Sequence, residues 1–340
     1  MFCGGGSAGH VIPNVALIER LKNDYLICYA GTNGIEEDIC NTNGIKFFKF
    51  DAVKLVRGKI LCNLAIPFKL IKSIKQAGEI LDKVKPDLVF CKGGYVCIPP
   101  AFAARKRKIP IIAHESDISA GLANKIIARK CKRVLTSFPL TADKFKNGFY
   151  TGSPMRESLF NRDKQQARNS LGIDSRPTLI VFGGGSGSKI INDSLRKIVF
   201  ELCKNYNVIH ICGKGNATHT NVYGYKQIEF TNDMGTVYAC ADGAVARCGS
   251  NSANELIALK IPTLFIPLQN SSSRGDQVKN AEYFYNEGLC RVLSEKQLTA
   301  EKLKKEIFEL FDDEKLKIAL TKSFVKCGND AIIKEIENTI

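Results

Sequence analysis

Three observations predict an α/β chain made of two similar parallel-sheet domains facing a cleft. Short apolar runs alternate with helix-like stretches along the whole length, the pattern of parallel sheets covered by helices. Two glycine clusters occur, Gly4-Gly5-Gly6-Ser7-Ala8-Gly9-His10 and Gly183-Gly184-Gly185-Ser186-Gly187-Ser188, as two similar halves require. A length of 340 residues fits two domains at roughly 150 residues each.

The first cluster runs directly into Pro13 and an apolar series at helical spacing, Val15, Ala16, Leu17, Ile18 and Leu21. It therefore opens a helix, where free N–H groups favour an anion and bare glycine backbone admits a ligand closely. Only Met1-Phe2-Cys3 precede Gly4; the strand expected there is either a stub or begins upstream of Met1. Gly4-x-Gly6-x-x-Gly9 also fits the dinucleotide fingerprint. The next apolar run, residues 26–30, ends in Gly31-Thr32-Asn33 rather than a ribose-binding acid, which disfavours a nicotinamide dehydrogenase.

Further strands are expected at residues 88–91, 111–114 and 134–137. Lys92-Gly93-Gly94-Tyr95-Val96-Cys97 and His114-Glu115-Ser116-Asp117 follow the first two, where open α/β sheets bind ligands. Glu115-x-Asp117 resembles a metal-binding acid pair, but no Asp-x-Asp occurs anywhere in the chain, which disfavours a metal-dependent sugar transferase of that type; the bland reading of the two acids is a structural turn. Residues 148–154 have hinge chemistry, which places the domains at 1–153 and 154–320, with a helical tail at 321–340 able to pack back on the first.

In the second half, strands are expected at 178–182, 208–212, 228–230, 244–247 and 263–267. The second glycine cluster follows the first of these and precedes a helix from near Lys189, so its amides suit a pyrophosphate. Ser250, Asn251, Ser252, Ala253 and Asn254 open another helix after Arg247-Cys248-Gly249, again with N–H groups turned to an anion. Glu255 either accepts ribose hydroxyls or favours the helix dipole. Gln277 follows a polar loop and reads either sugar hydroxyls or solvent.

The net charge of +15 is lopsided: residues 1–160 hold 25 Lys and Arg against 13 Asp and Glu. A basic half points to an anionic partner. Residues 54–75 interleave Lys54, Arg57, Lys59, Lys69, Lys72 and Lys75 with Ile66, Phe68, Leu70 and other apolar side chains. This stretch is either a solvated face over the core or a patch for an anionic membrane surface, where each lysine contributes about 1 kcal/mol. Nucleic acid is not expected, because Phe68 is the patch's only ring and bases need aromatic platforms. No apolar run of about 18 residues and no signal peptide are present, so a cytoplasmic location is expected. The thirteen cysteines are scattered without a Cys-x-x-Cys pair; they read as reduced, buried thiols, with no metal site expected.

Seven motifs stand in a fixed order over nearly the whole chain: Gly-Gly-Gly-Ser-Ala-Gly-His-Val-x-Pro, Gly-Gly-Tyr-Val, His-Glu-x-Asp, Gly-Ser-Pro-x-Arg, Gly-Gly-Gly-Ser-Gly, Arg-x-Gly-Ser-x-Ser-x-x-Glu and Asp-Gln-x-x-Asn-Ala. Together they resemble the peptidoglycan N-acetylglucosaminyltransferases that make lipid II. The resemblance implies the GT-B architecture, two Rossmann-like parallel-sheet domains facing a cleft, and transfer of N-acetylglucosamine from UDP-N-acetylglucosamine to lipid I, forming a β-1,4 link with inversion and with no essential metal or other cofactor. It implies a peripheral protein on the cytoplasmic face of the bacterial membrane, with cell-wall synthesis proteins as further partners.

Carried over by position, Ser7, Ala8 and Gly9 would line the donor-sugar side. His10 would be the base on the acceptor hydroxyl, or would only position phosphate. Asp117 would touch the donor. Arg156 and Thr231 would contact the nucleotide, Thr231 through its backbone to uracil. Gly185 and Ser186 would meet the pyrophosphate, residues 250–255 the diphosphate and ribose, and Gln277 the sugar hydroxyls. The chain departs from its relatives at Asp117, where Asn is usual, at Gly185 and Cys97, where Ser is usual, and in a slightly longer loop at 269–275. Two other readings share these motifs in part: a GT-B transferase acting on another membrane lipid such as diacylglycerol, and a non-catalytic nucleotide-sugar-binding protein.

Overall fold

A computed structural model describes residues 1–54, 66–269 and 275–340. The chain divides into two units, Met1–Arg156 with Cys327–Ile340, and Glu157–Lys326.

The strands of the first unit are β1 (Phe2–Cys3), β2 (Cys28–Gly31), β3 (Lys46–Lys49), β4 (Val89–Cys91), β5 (Ile111–Glu115), β6 (Arg133–Thr136) and β7 (Gly148–Tyr150). They form one parallel sheet in the order β3-β2-β1-β4-β5-β6-β7. Strand β1 has two residues and sits at the centre. Phe2 pairs with Tyr29 and Phe90, and Cys3 with Ala30 and Cys91. The Met1 ammonium extends this pairing by donating to Leu88 O at 2.7 Å.

Alternation along the strands sends neighbouring side chains to opposite faces. Cys3, Val89, Cys91, Ile111 and Val134 face one core; Phe2, Phe90, Ile112 and Leu135 face the other, with Val11 and Leu17 of the helix Ala8–Leu21. Ile332 and Ile336 of the last helix, Asn329–Glu337, complete that second core. The chain reaches it through a parallel bridge between Ser153 and Cys327. Asn329 then brackets Met155, accepting from its N–H at 3.0 Å and donating to its carbonyl at 2.8 Å.

The second unit holds β8 (Thr178–Phe182), β9 (Asn207–Ile211), β10 (Tyr225–Ile228), β11 (Gly243–Ala246), β12 (Thr263–Phe265) and β13 (Arg291–Val292). Their parallel order is β10-β9-β8-β11-β12-β13. Central strands β8, β9 and β11 are buried throughout, as expected of parallel strands covered on both faces.

Where strand expectations fail, the strand is at an edge. β3 and β13 carry too few apolar residues to announce themselves. Residues 148–154, read as a hinge, begin with β7, whose Phe149 is half exposed. The strand expected at 228–230 ends at Ile228, and Phe230 lies exposed beyond it.

Both sheets reverse order at their first strand: β1 lies between β2 and β4, and β8 between β9 and β11. Open α/β sheets bind ligands at such a reversal, beyond the carboxyl ends of the strands. The two glycine clusters follow β1 and β8, so each stands at the reversal of its own sheet. No helix among the described residues is long and apolar enough to cross a membrane.

Candidate active site

In the first unit the site is built where β1, β4 and β5 end. Ser7 caps the helix Ala8–Leu21 with extended backbone, which makes His10 its third residue. The loop ahead is braced from below. Tyr29 Oη donates to Gly4 O at 3.0 Å and accepts from Asn14 Nδ2 at 3.1 Å. Buried Glu36 accepts from Gly6 N at 3.3 Å and from Thr32 N at 3.0 Å.

The His10 ring lies against the loop that follows β4. Gly94 has φ of +80°, and a Cβ there would stand 2.7 Å from Gly5 O and 3.0 Å from His10 Nδ1. Only glycine lets the two loops meet. His10 Nδ1 lies 3.0 Å from Gly5 O and 3.3 Å from Ser7 Oγ. A carbonyl only accepts, so this contact assigns the proton to Nδ1 and leaves the lone pair on Nε2. Burial, then the nearby Lys92 ammonium, lowers the His10 pKa from its ordinary 6.5. The ring is therefore neutral at pH 7, with a nitrogen able to take a proton.

Lys92 ends this loop's approach from β4. It is 1% exposed, and its ammonium donates to Ser116 Oγ. Burial pulls its pKa down to about 8, opposed by Glu115 and Asp117. Glu115 is taken up by the turn: it accepts from Asp117 N at 3.0 Å, Gly121 N at 2.8 Å and Asn124 Nδ2 at 2.9 Å. These bonds make Glu115 part of a structural turn. His114 ties β5 to the end of the unit through Nε2 and Gly152 O, 3.1 Å apart.

In the second unit, the glycine cluster turns tightly onto the helix Lys189–Leu202. Gly187 has φ of +75°, and a Cβ there would lie 2.0 Å from Cys212 O. Gly185 and Ser186 are exposed, and a Cβ on Gly185 would meet nothing within 4 Å. A serine side chain at that position would therefore fit. Arg247, buried just after β11, holds three strand ends together. It donates to Ser188 Oγ at 2.8 Å, to Glu295 Oε1 at 2.8 Å and to Ile266 O at 3.0 Å. Glu295 in turn accepts from Gln269 N at 3.0 Å. Burial raises the Glu295 pKa, but the bonds from Arg247 and Gln269 outweigh it and hold the carboxyl below its ordinary value.

The helix Ser250–Ala258 starts beside this tie, with Gly249 as its cap. Ser250, Ala253 and Asn254 are buried, Asn251 and Ser252 half-buried. Asn254 Nδ2 donates back to Ser250 O at 2.8 Å. Glu255 accepts from Tyr238 Oη at 3.1 Å. Gln277 uses its amide oxygen for Leu268 N at 3.0 Å, so what it can offer a ligand is Nε2.

The structure thus gathers Ser7, Ala8, Gly9, His10 and Asp117 in the first unit, and residues 185–186, 250–255 and 277 in the second. Arg156 falls in the first unit. Thr231 stands apart, lining a pocket of about 500 Å³ with Arg162, Gln166 and Val237; none of the other expected residues lines it. On the helix Ile66–Val84, Phe68 and Ile71 are 77% and 66% exposed. Lys54, Lys69, Lys72 and Lys75 are exposed, whereas Ile66 and Leu70 are half-buried. Lys72 reaches Asp51 at 3.3 Å. Arg57 and Lys59 lie outside the described residues.

Sequence reading missed the roles of Glu36, Lys92 and Arg247, whose partners lie far away in the chain. It also misjudged the cysteines as scattered. Cys3, Cys91 and Cys97 bring their sulfurs within 4.8 Å of one another, because β1 and β4 are neighbours.

Residues 1–136 match the glycosyltransferase family 28 N-terminal domain, and residues 178–336 the family 28 C-terminal domain. The chain belongs to glycosyltransferase family 28. Similar to this family 28 chain is the UDP-N-acetylglucosamine–N-acetylmuramyl-(pentapeptide) pyrophosphoryl-undecaprenol N-acetylglucosamine transferase of Clostridium botulinum, 42% identical over 99% of this chain and 97% of that relative. The transferase of the same name from Clostridium perfringens is 42% identical over 90% of this chain and 88% of its own length. MurG of Acinetobacter baumannii superposes with a TM-score of 0.77 at 23% identity, covering 99% of this chain and 98% of that one. The calicheamicin glycosyltransferase does so at 0.74 and 14% identity, over 99% and 96%. The family 28 chain shares with them the GT-B fold, two parallel-sheet α/β domains.

The buried lysine yields a test. A lowered pKa means the folded protein holds the ammonium less well than the unfolded chain, so below pH 8 the charge costs stability. A displacement from 10.5 to about 8 corresponds to ~3 kcal/mol. Lys92→Met is expected to stabilise the fold at pH 7 by ~1–3 kcal/mol. The gain should shrink above pH 8 and vanish as the unfolded lysine also loses its proton. A lower denaturant midpoint for the variant at pH 7 would contradict this account.

Proposed function

We propose that this chain transfers N-acetylglucosamine from UDP-N-acetylglucosamine to lipid I, making lipid II through a β-1,4 link with inversion. The observation that carries this reading is the 42% identity over 99% of the chain to the Clostridium botulinum transferase, whose name states both donor and acceptor. The motif order and the state of His10 support it.

Inverting transfer is a single displacement. The acceptor hydroxyl attacks the anomeric carbon, loses its proton to a base, and UDP departs. His10 Nε2 is the base, since Nδ1 is committed to Gly5 O. Ser7, Ala8, Gly9 and Asp117 belong to the donor-sugar contacts. The departing diphosphate needs donors already in place. Amides at Gly185 and Ser186 and the helix start at Ser250, Asn251, Ser252 and Ala253 supply them, with the dipoles of both helices. Glu255 accepts from the ribose hydroxyls, Gln277 Nε2 donates to a sugar hydroxyl, and Arg156 and Thr231 contact the nucleotide.

The enzyme acts as a peripheral protein on the cytoplasmic face of the membrane, beside the cell-wall synthesis proteins that use its product. Phe68 and Ile71 are three residues apart, so they share a helix face; Lys72 lies four positions after Phe68 and Lys75 four after Ile71. Apolar side chains flanked by lysines suit anionic headgroups.

Three measurements test the proposal. UDP release from UDP-N-acetylglucosamine should require a lipid I analogue, and His10→Ala should slow turnover by about 10²–10⁴-fold with little change in UDP affinity. Release prompted by diacylglycerol instead, or an unaltered rate in the variant, would overturn the respective assignment. Neutralising Lys69, Lys72 and Lys75 should weaken binding to anionic vesicles, each lysine contributing about 1 kcal/mol. Equal retention of both proteins on those vesicles would remove the membrane patch.

A further inference from the structure

The cysteine triad beneath the first-unit site lies outside the chemistry described above. Cys3 is the last residue of β1 and Cys91 the last of β4, and the two are partners in register. Their side chains therefore leave the sheet on the same face. Cys97 closes the short 3-10 turn Tyr95–Cys97, which folds back over them. All three are 0% exposed, and their sulfurs lie within 4.8 Å of one another. Sulfur ligands about 2.3 Å from a central ion stand ~3.8 Å apart, so the triad closes on an ion with shifts of about 1 Å or less.

Two features select the occupant. Among the described residues the side-chain donor set is three cysteine sulfurs, with no histidine or carboxylate in the group, which favours soft, thiophilic centres over hard cations. A structural zinc site calls for a fourth ligand. The second feature is burial. A dry site penalises net charge heavily. Three thiolates on a divalent cation leave a charge of minus one, and on a monovalent cation minus two. Three thiolates on a trivalent centre leave none.

We infer that Cys3, Cys91 and Cys97 form a binding site for a trivalent, thiophilic hydroxide of the arsenous acid type. Binding is a condensation without redox change. As(OH)3 and three cysteine thiols give As(S-Cys)3 and three waters. Three As–O and three S–H bonds break, three As–S bonds form, and each departing hydroxide leaves with a thiol proton. Because the ligand brings its own proton acceptors, buried thiols that resist ionisation still react. The contact with Cys97, together with burial, raises Cys3 and Cys91 well above the ordinary range, whereas bonds from Cys3, Cys91 and the Gly93 backbone hold Cys97 well below it; a sulfur that enters as thiolate releases its hydroxide unprotonated.

Occupancy reaches the active site through one loop. Cys97 Sγ accepts from Gly93 N at 3.3 Å and lies 3.1 Å from Gly93 O. Gly93 and Gly94 in turn pack on the His10 ring. Drawing Cys97 toward Cys3 and Cys91 displaces that loop, so the bound ion inhibits. This consequence rests on the proposed transferase activity; the binding itself does not.

The test uses the full chain, reduced with a phosphine rather than a competing dithiol, and arsenite as the probe. X-ray absorption at the arsenic edge should report one arsenic per chain bound by three sulfurs. Cys97→Ser and Cys91→Ser, each leaving two thiols, should bind about 100-fold or more weakly, as loss of one tethered ligand predicts. Cys290→Ser, away from the triad, should bind as the parent does. Arsenic with oxygen or only two sulfur neighbours in the parent protein would overturn the site even if neither variant folds. So would equal affinity in folded Cys97→Ser. Arsenite should also lower transferase turnover of the parent. Three-sulfur binding with turnover unchanged would overturn the coupling to His10 alone, whereas no turnover before arsenite is added would count against the activity and leave the sulfur-bound site standing.

Discussion

The hydrogen bond between His10 Nδ1 and the Gly5 carbonyl, at 3.0 Å, governs how the first-unit site works. It directs the imidazole's proton to Nδ1 and leaves the lone pair on Nε2, the atom that serves as base in the proposed transfer. For it to form, the chain must turn back on itself between residues 5 and 10, and a second loop must pass the same ring. The glycines at 5 and 94 permit both, and Glu36, Asn14 and Tyr29 hold the first turn in place from the buried side. Lys92 adds a positive charge behind the ring that opposes its protonation. A lysine in that position costs stability, which is expected where function and folding make opposite demands.

The second unit solves a related problem with other residues. In the proposed transfer, its glycine loop, the helix start at Ser250 and the end of β12 stay in register to present amides to one anion. A single guanidinium links these ends: Arg247, three positions ahead of Ser250, donates to Ser188 Oγ and to Ile266 O and is neutralised by Glu295. The arginine is thereby spent on architecture. In the proposed transfer, positive potential toward the diphosphate comes instead from helix N-termini, whose N–H groups are already oriented.

Local pattern made much of this legible. Buried central strands such as residues 178–182 are continuous apolar runs, and the glycine clusters mark the turns that follow them. The edge strands β3, β7 and β13 were not legible, because half-exposed strands lack that pattern. Nor were the partners of Glu36, Lys92 and Arg247. Glu36 meets Gly6 from 30 positions away, and Arg247 meets Ser188 across 59; a sequence shows the charge but not what it faces. The cysteine triad failed for the same reason. Spacing rules for metal sites assume ligands close together in the chain, whereas strand order brings Cys3 beside Cys91.

The central claim is that His10 is neutral at physiological pH with its proton on Nδ1. Nitrogen-15 NMR of the imidazole in the full chain measures both properties in one pH titration. The account predicts a protonated Nδ1, an unprotonated Nε2 at pH 7, and a pKa below 6.5. An Nε2-protonated tautomer, or a pKa at or above 6.5, would contradict it.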